Sequence, residues 1–210
     1  GDSCSKTMQK ALEKAGGKVL SVDGVPVGTQ DFRPILSRLK TLDPSPQAVY
    51  FGGVVSEAAL LRLQMLEMGM DNYLYAGVTG FDSETFNKTA GKASEGTLII
   101  GKKAIGKESA FVKAYEQAGY KEYYEATGPY AYDATNLIIA AINKVGPKDK
   151  KLLAKTLRGM DYNGILGNTR FDEFGQTETG GLTLKVSQAG HWVPWDSSDY
   201  ATGKLNLPQK

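Results

Sequence analysis

The period of the apolar positions changes along the chain, and each change marks an element. Thr7, Met8, Ala11, Leu12 and Ala15 recur at helical spacing. Ser3 or Ser5 stands where a helix wants a capping side chain, and Gly16-Gly17 supplies a left-handed stop. Val19, Leu20 and Val22 then predict a short strand. Asp31 opens a second helix with Pro34 in its first turn, where a missing N–H costs nothing, and Ile35, Leu36, Leu39 and Leu42 form its apolar face. Asp43-Pro-Ser-Pro ends it. Ala48 to Phe51 is a continuous apolar run, as in a parallel strand covered on both faces.

The alternation continues. Ser56 is expected to cap a third helix carrying Ala59, Leu60, Leu63, Leu66 and Met70 on one face. Tyr73–Ala76 predicts a strand, Ser83 starts a shorter helix ending at Gly91, and Thr97–Ile100 predicts another strand. Through residue 101 the order is α-β-α-β-α-β-α-β, which argues for a parallel sheet with helices on both faces. Such a unit normally begins with a strand, so one is expected to be missing before Gly1. Residues 108–118, 128–145 and 148–158 then read as three successive helices. After Gly159 come short strands and turns: Thr169–Phe171, the polar turn at 172–175, Leu182–Val186 and Trp192-Val193.

Composition narrows the function classes. The 210 residues are 41% hydrophobic and 23% charged, with a formal net charge of +2 and no basic block, so nucleic acid is not an expected partner. No apolar run reaches the roughly 18–20 residues of a membrane span. Cys4 is the single cysteine, which leaves no internal disulfide and no cysteine-built metal site. His191 is the single histidine and sits in a turn entering a strand, without the partners a catalytic triad needs. No cofactor is expected.

Several segments carry candidate chemistry. Gly101-Lys-Lys-Ala-Ile-Gly106-Lys107-Glu108 has the spacing of a phosphate loop, but Glu108 replaces the Ser or Thr whose hydroxyl would hold magnesium. A linker between domains explains it as well. Asp172, Glu173 and Glu178 read as a solvated hairpin turn. Tyr120, Tyr123, Tyr124, Tyr130 and Tyr132 cluster in sequence; Tyr130 follows Gly128-Pro129 at a helix start, where free N–H groups attract anions. Ligands of open parallel sheets bind beyond the carboxyl ends of the strands. Here those loops hold Gly52-Gly53-Val54-Val55-Ser56 and Gly77-Val78-Thr79-Gly80-Phe81. Glycine there lets a backbone approach a ligand, and it also serves a tight strand-to-helix turn.

At these loops the chain resembles the branched-chain amino-acid (leucine/isoleucine/valine-binding) type of periplasmic solute-binding protein, which has the type I bilobal fold. The resemblance is carried by Gly28-Thr-Gln-Asp-Phe32, Ala48-Val-Tyr-Phe-Gly-Gly53, Gly91-Lys-Ala-Ser-Glu-Gly96, Gly128-Pro-Tyr130 with Ala134, and Gly164-Ile-Leu-Gly167 with Phe171-Asp172 and Gly175. It implies an α/β doubly wound parallel-sheet lobe plus part of a second lobe, in a chain lacking its N-terminal part. The implied organisation is residues 1–104 as most of the second lobe, 105–178 as the helical and hairpin part of the first, and 179–210 as a crossing back and tail. The implied function is the non-enzymatic solute-binding component of an ABC-type importer, closing two lobes on a small amino acid or related organic acid or amide. A ligand-sensing domain of a receptor or regulator is the alternative. The implied ligand contacts are Val54, Val55, Ser56, Val78, Thr79, Gly80 and Tyr130. The implied partners are the solute, a membrane permease, and the missing N-terminal segment or a second chain; the implied location is periplasmic or extracellular, secreted or lipid-anchored. Thr79, or Val78 if the loop slips by one, falls near the family's acidic partner for an ammonium group. Neither is acidic, and a buried ammonium needs such a partner. This counts against a simple aliphatic amino acid, and a slot with a hydroxyl would suit a different small organic acid or amide.

Overall fold

A computed structural model describes residues 1–106, 108–121, 124–178 and 181–209. The chain divides into two compact units: residues 1–101 together with 183–210, and residues 102–182.

The first unit is built on a five-stranded sheet. Its strands are β1 (Ala48–Phe51), β2 (Leu74–Gly77), β3 (Leu98–Lys102), β6 (Leu182–Gln188) and β7 (His191–Pro194), in the spatial order β1-β2-β3-β6-β7. β1 pairs parallel with β2, Phe51 opposite Gly77, and β2 pairs parallel with β3. β6 and β7 form an antiparallel hairpin turned at Ala189-Gly190, both with positive φ. The parallel part is joined by α3 (Val55–Glu67) and α4 (Glu84–Ala90), and α1 (Asp2–Lys14) and α2 (Arg33–Lys40) precede it.

Side chains from α2, α3, β2, β3 and α4 interdigitate to make the core. Phe32, Leu36, Ala58, Met65, Tyr75, Phe86 and Ile99 are all buried. A run of rings continues through it: Tyr75 on Phe81 at 6.0 Å, Phe81 on Phe86 at 5.1 Å and Phe86 on Trp192 at 5.3 Å. Such pairs add to plain burial because ring edges and faces carry opposite partial charge.

The second unit holds α5 (Ala110–Gln117), α6 (Gly128–Val145), α7 (Lys150–Arg158) and the hairpin β4 (Tyr162–Gly164)–β5 (Gly167–Thr169). Leu137, Ala141 and Met160 form its small core, flanked by Leu153, Leu157, Tyr162 and Phe171. The three helices are those that periodicity predicts. Asp149 caps α7 by accepting from the N–H groups of Lys151 and Leu152, both at 3.0 Å.

Three expectations are corrected. Residues 18–22 belong to no strand; extended backbone needs a hydrogen-bonded neighbour to become a ladder, and none falls beside them among the described residues. Neither Ser3 nor Ser5 caps α1, because both lie inside a helix that starts one residue after Gly1. Ser56 does not cap α3 either. Val54, in extended conformation, holds the N-cap position, and Ser56 lies within the first turn. Ser83, by contrast, accepts from the Thr85 N–H at 3.1 Å as the cap of α4, and Gly91 ends that helix with φ +53°.

Candidate functional site

The turns after β1 and β2 meet at the carboxyl end of the parallel strands. They nest because both carry glycine where their backbones touch. A β-carbon on Gly80 would lie 2.2 Å from the Gly53 carbonyl oxygen, and one on Gly77 would strike the Phe81 ring and the Phe51 carbonyl. Phe81 is fully buried below, which anchors the second turn to the core.

The predicted residues take distinct positions on these turns. Val54 and Val78 are both extended residues leading directly into a helical turn, and Val54 is 54% exposed. Val55 is half-buried and packs against the core. The Ser56 hydroxyl donates to Glu57 Oε2 at 2.6 Å. Thr79 and Gly80 start the one-turn 3-10 helix that ends at Phe81. The structure thus brings Val54, Val55, Ser56, Val78, Thr79 and Gly80 together through the Gly53–Gly80 contact.

Tyr130 belongs to the second unit. It stands in the first turn of α6, half-buried, and its hydroxyl donates to the carbonyls of Lys103 and Gly181, both at 3.4 Å. Those residues pair directly, Lys103 N–H to Gly181 O at 2.6 Å. The remaining tyrosines gather elsewhere: Tyr124 and Tyr132 each meet Phe111 edge-on at 5.3 Å, and Tyr115 sits 4.8 Å from Tyr120. Tyr123, and the Lys107 of the phosphate-loop pattern, lie outside the described residues.

Two acids at the turns escaped sequence reading. Glu57, in the first turn of α3, accepts from Ser56 and from the Gly28 N–H at 3.0 Å. The Ser56 hydroxyl, then the Gly28 amide, hold its carboxyl below the usual carboxylate range. Asp82 follows the second turn and is clasped by Lys185 of β6 at 2.8 and 3.0 Å, both side chains almost wholly buried. Nothing local in sequence links residues 82 and 185. Gly101 was the available sign, since a β-carbon there would lie 2.7 Å from the Asp82 carboxylate.

His191 Nδ1 lies 3.3 Å from Glu84 Oε2 at the exposed start of β7. Among the described residues no cluster of three His, Cys, Asp or Glu could hold a metal ion, and no helix is long and apolar enough to cross a membrane.

Comparison with known proteins gives this geometry a family. A family model described as periplasmic binding protein matches residues 1–191. The chain belongs to that family, as its sequence resemblance implies, and the family is one of solute-binding proteins rather than enzymes. A leucine-, isoleucine-, valine-, threonine- and alanine-binding protein of Pseudomonas aeruginosa is 31% identical over 187 residues, covering 88% of this chain and 49% of the relative. Among solved structures, a leucine binding protein LivK from Thermotoga maritima superposes with a TM-score of 0.79 at 25% identity, covering 90% of this chain and 54% of that one. A periplasmic binding protein type 1 from Bordetella pertussis, at 22% identity, shares the fold with a TM-score of 0.78 over 92% of this chain and 58% of its own. The chain spans about half the length of the curated relatives it matches.

Proposed function

We propose that this chain is part of the solute-binding component of an ABC-type importer, taking up a small amino acid or related organic acid or amide. The observation that carries this is the pair of glycine-bearing turns, nested at the carboxyl end of β1 and β2, in a chain of the periplasmic binding protein family. The leucine- and small-amino-acid-binding relatives support the solute class.

In this reading Val54 offers apolar surface, Thr79 a hydroxyl, and the N–H groups starting α3 and the 79–81 turn offer donors to a carboxylate or carbonyl. Tyr130 is a further ligand contact. Solute favours a closed form of the whole protein through the extra contacts made there, and a membrane permease receives it. The setting is periplasmic or extracellular. Residues 1–104, 105–178 and 179–210 remain the proposed lobe assignment.

A thermal-shift screen against branched-chain and other small amino acids, aromatic acids and amides tests the proposal. A solute at about 100 times its Kd should stabilise the protein by about 2.7 kcal/mol. Stabilisation by ATP with none of the solutes active would overturn it.

A further inference from the structure

Asp82 is held by its backbone and by its side chain. Its N–H donates to the Thr79 carbonyl at 3.3 Å and closes the short turn that carries Thr79 and Gly80. Its carboxylate is clasped by Lys185 of β6, and the side chains of Lys185 and Asp82 are only 5% and 2% exposed. The backbone of β3 lies against this pair: a β-carbon on Gly101 would be 2.7 Å from Asp82 Oδ2 and 2.9 Å from Lys185 Cδ. β3 and β6 are neighbours in the sheet, and through them the chain leaves the first unit after Gly101 and re-enters it at Thr183. Within the second unit, the Lys103 N–H donates to the Gly181 carbonyl at 2.6 Å, and Tyr130 donates to the carbonyls of the same two residues. Each unit thus ties a candidate ligand contact to its own end of these two segments.

We propose that Asp82 and Lys185 are positioning residues whose ion pair couples the 79–81 turn to the two segments that join the units. The inference rests on the solute-binding reading above and names the side chains that carry a contact at Thr79 or Gly80 onward to Lys103 and Gly181. The pair supplies direction. Two charge-assisted hydrogen bonds to one carboxylate fix both side chains in angle as well as distance, whereas apolar burial is non-directional and lets them slide. Stability alone gives no reason for charges here, since a buried ion pair adds little over an apolar pair of similar volume. Glycine at 101 completes the linkage. With no side chain between them, a shift of the pair moves the β3 backbone itself. Coupling through such a path needs a contiguous set of packed groups, and turn, ion pair and strand are in direct contact.

The test compares the 210-residue chain with its Lys185→Met, Asp82→Leu double variant, in which an apolar pair keeps the urea midpoint near the native one. Amide hydrogen exchange reads the coupling without any solute. Exchange in the double variant should speed about tenfold or more at Phe81 and Asp82, whose N–H groups close the turn, and at Lys103. The core amides of Leu36 and Met65 should keep their native rates. Acceleration at the turn without Lys103, at Lys103 without the turn, at the core amides as well, or nowhere would overturn the proposal. A second readout adds L-leucine, benzoate and benzamide and follows amide NMR shifts. Shifts at 78–80 should spread to Lys103 in the native chain and stop at the turn in the double variant; equal spread in both would overturn the coupling. The expected exchange pattern in a chain whose 78–80 amides answer to no small amino acid, aromatic acid or amide keeps the coupling and removes the solute reading, so the two failures are distinguishable.

Discussion

Gly80 has no room for a β-carbon. The nearest atom is the Gly53 carbonyl oxygen, part of a backbone that cannot rotate aside. Gly80→Ala should therefore push the two turns apart and cost about 1–3 kcal/mol, read as a lowered urea midpoint. The Asp82–Lys185 pair is a second residue-scale device. Lys185→Met leaves the Asp82 carboxylate buried without its cation, at a cost of about 3–5 kcal/mol. Lys185→Met with Asp82→Leu should recover most of that loss, since an apolar pair of similar volume replaces both charges. Glu57 gives a pH dependence. Its folded pKa is depressed, so its contribution is complete above the ordinary carboxylate value of about 4.3 and is lost as pH falls through the lower folded value. The stability difference between the native chain and Glu57→Gln should close on acidification from about pH 6 to about pH 3. A gap that widens would contradict the assignment.

At the scale of elements, periodicity was legible wherever an element buries one face. α2 and α6 follow from the spacing of Leu36 and Leu137, and β1 from its unbroken apolar run, whereas α3 buries Ala58, Leu61 and Met65 and leaves the predicted Leu66 exposed. Cap chemistry was less legible. Ser83 lies one residue before its helix and accepts as expected, Asp149 does so without having been singled out in the sequence, and Ser5 and Ser56 sit inside theirs. A cap is defined by backbone conformation, which a hydroxyl in sequence does not report. Val19–Val22 has strand composition without a ladder, because pairing is a property of the neighbour. Asp133 shows the same limit. It is buried in α6 and accepts from the N–H groups of Ile165 and Leu166 at 3.0 and 2.9 Å, clamping the turn between β4 and β5. Gly164 was its one sign, since a β-carbon there would sit 2.4 Å from the carboxylate. Asp133→Ala should cost about 1–3 kcal/mol by stranding two amides, and exchange at 165 and 166 should accelerate first.

At the scale of the whole molecule, the turns at 52–56 and 77–81 could be found because topology, rather than any catalytic signature, points to the carboxyl ends of parallel strands. Their mutual contact was legible only as glycine content. The ligand's charged partner was not legible: Glu57 is tied to Gly28, distant in sequence, and Asp82 to Lys185 across the sheet. Both acids are engaged by the protein's own groups, Glu57 by Ser56 and Gly28 and Asp82 by Lys185. A chain spanning about half of its relatives' length should hold solute only weakly, so the decisive observation must report weak binding at named residues. That measurement is backbone-amide NMR of the 210-residue chain titrated with the panel of amino acids, aromatic acids and amides. The account predicts saturable shifts, for at least one solute, confined to residues 53–56, 78–80 and the surroundings of Tyr130. Saturable shifts that all fall elsewhere, with those turns silent, would contradict it.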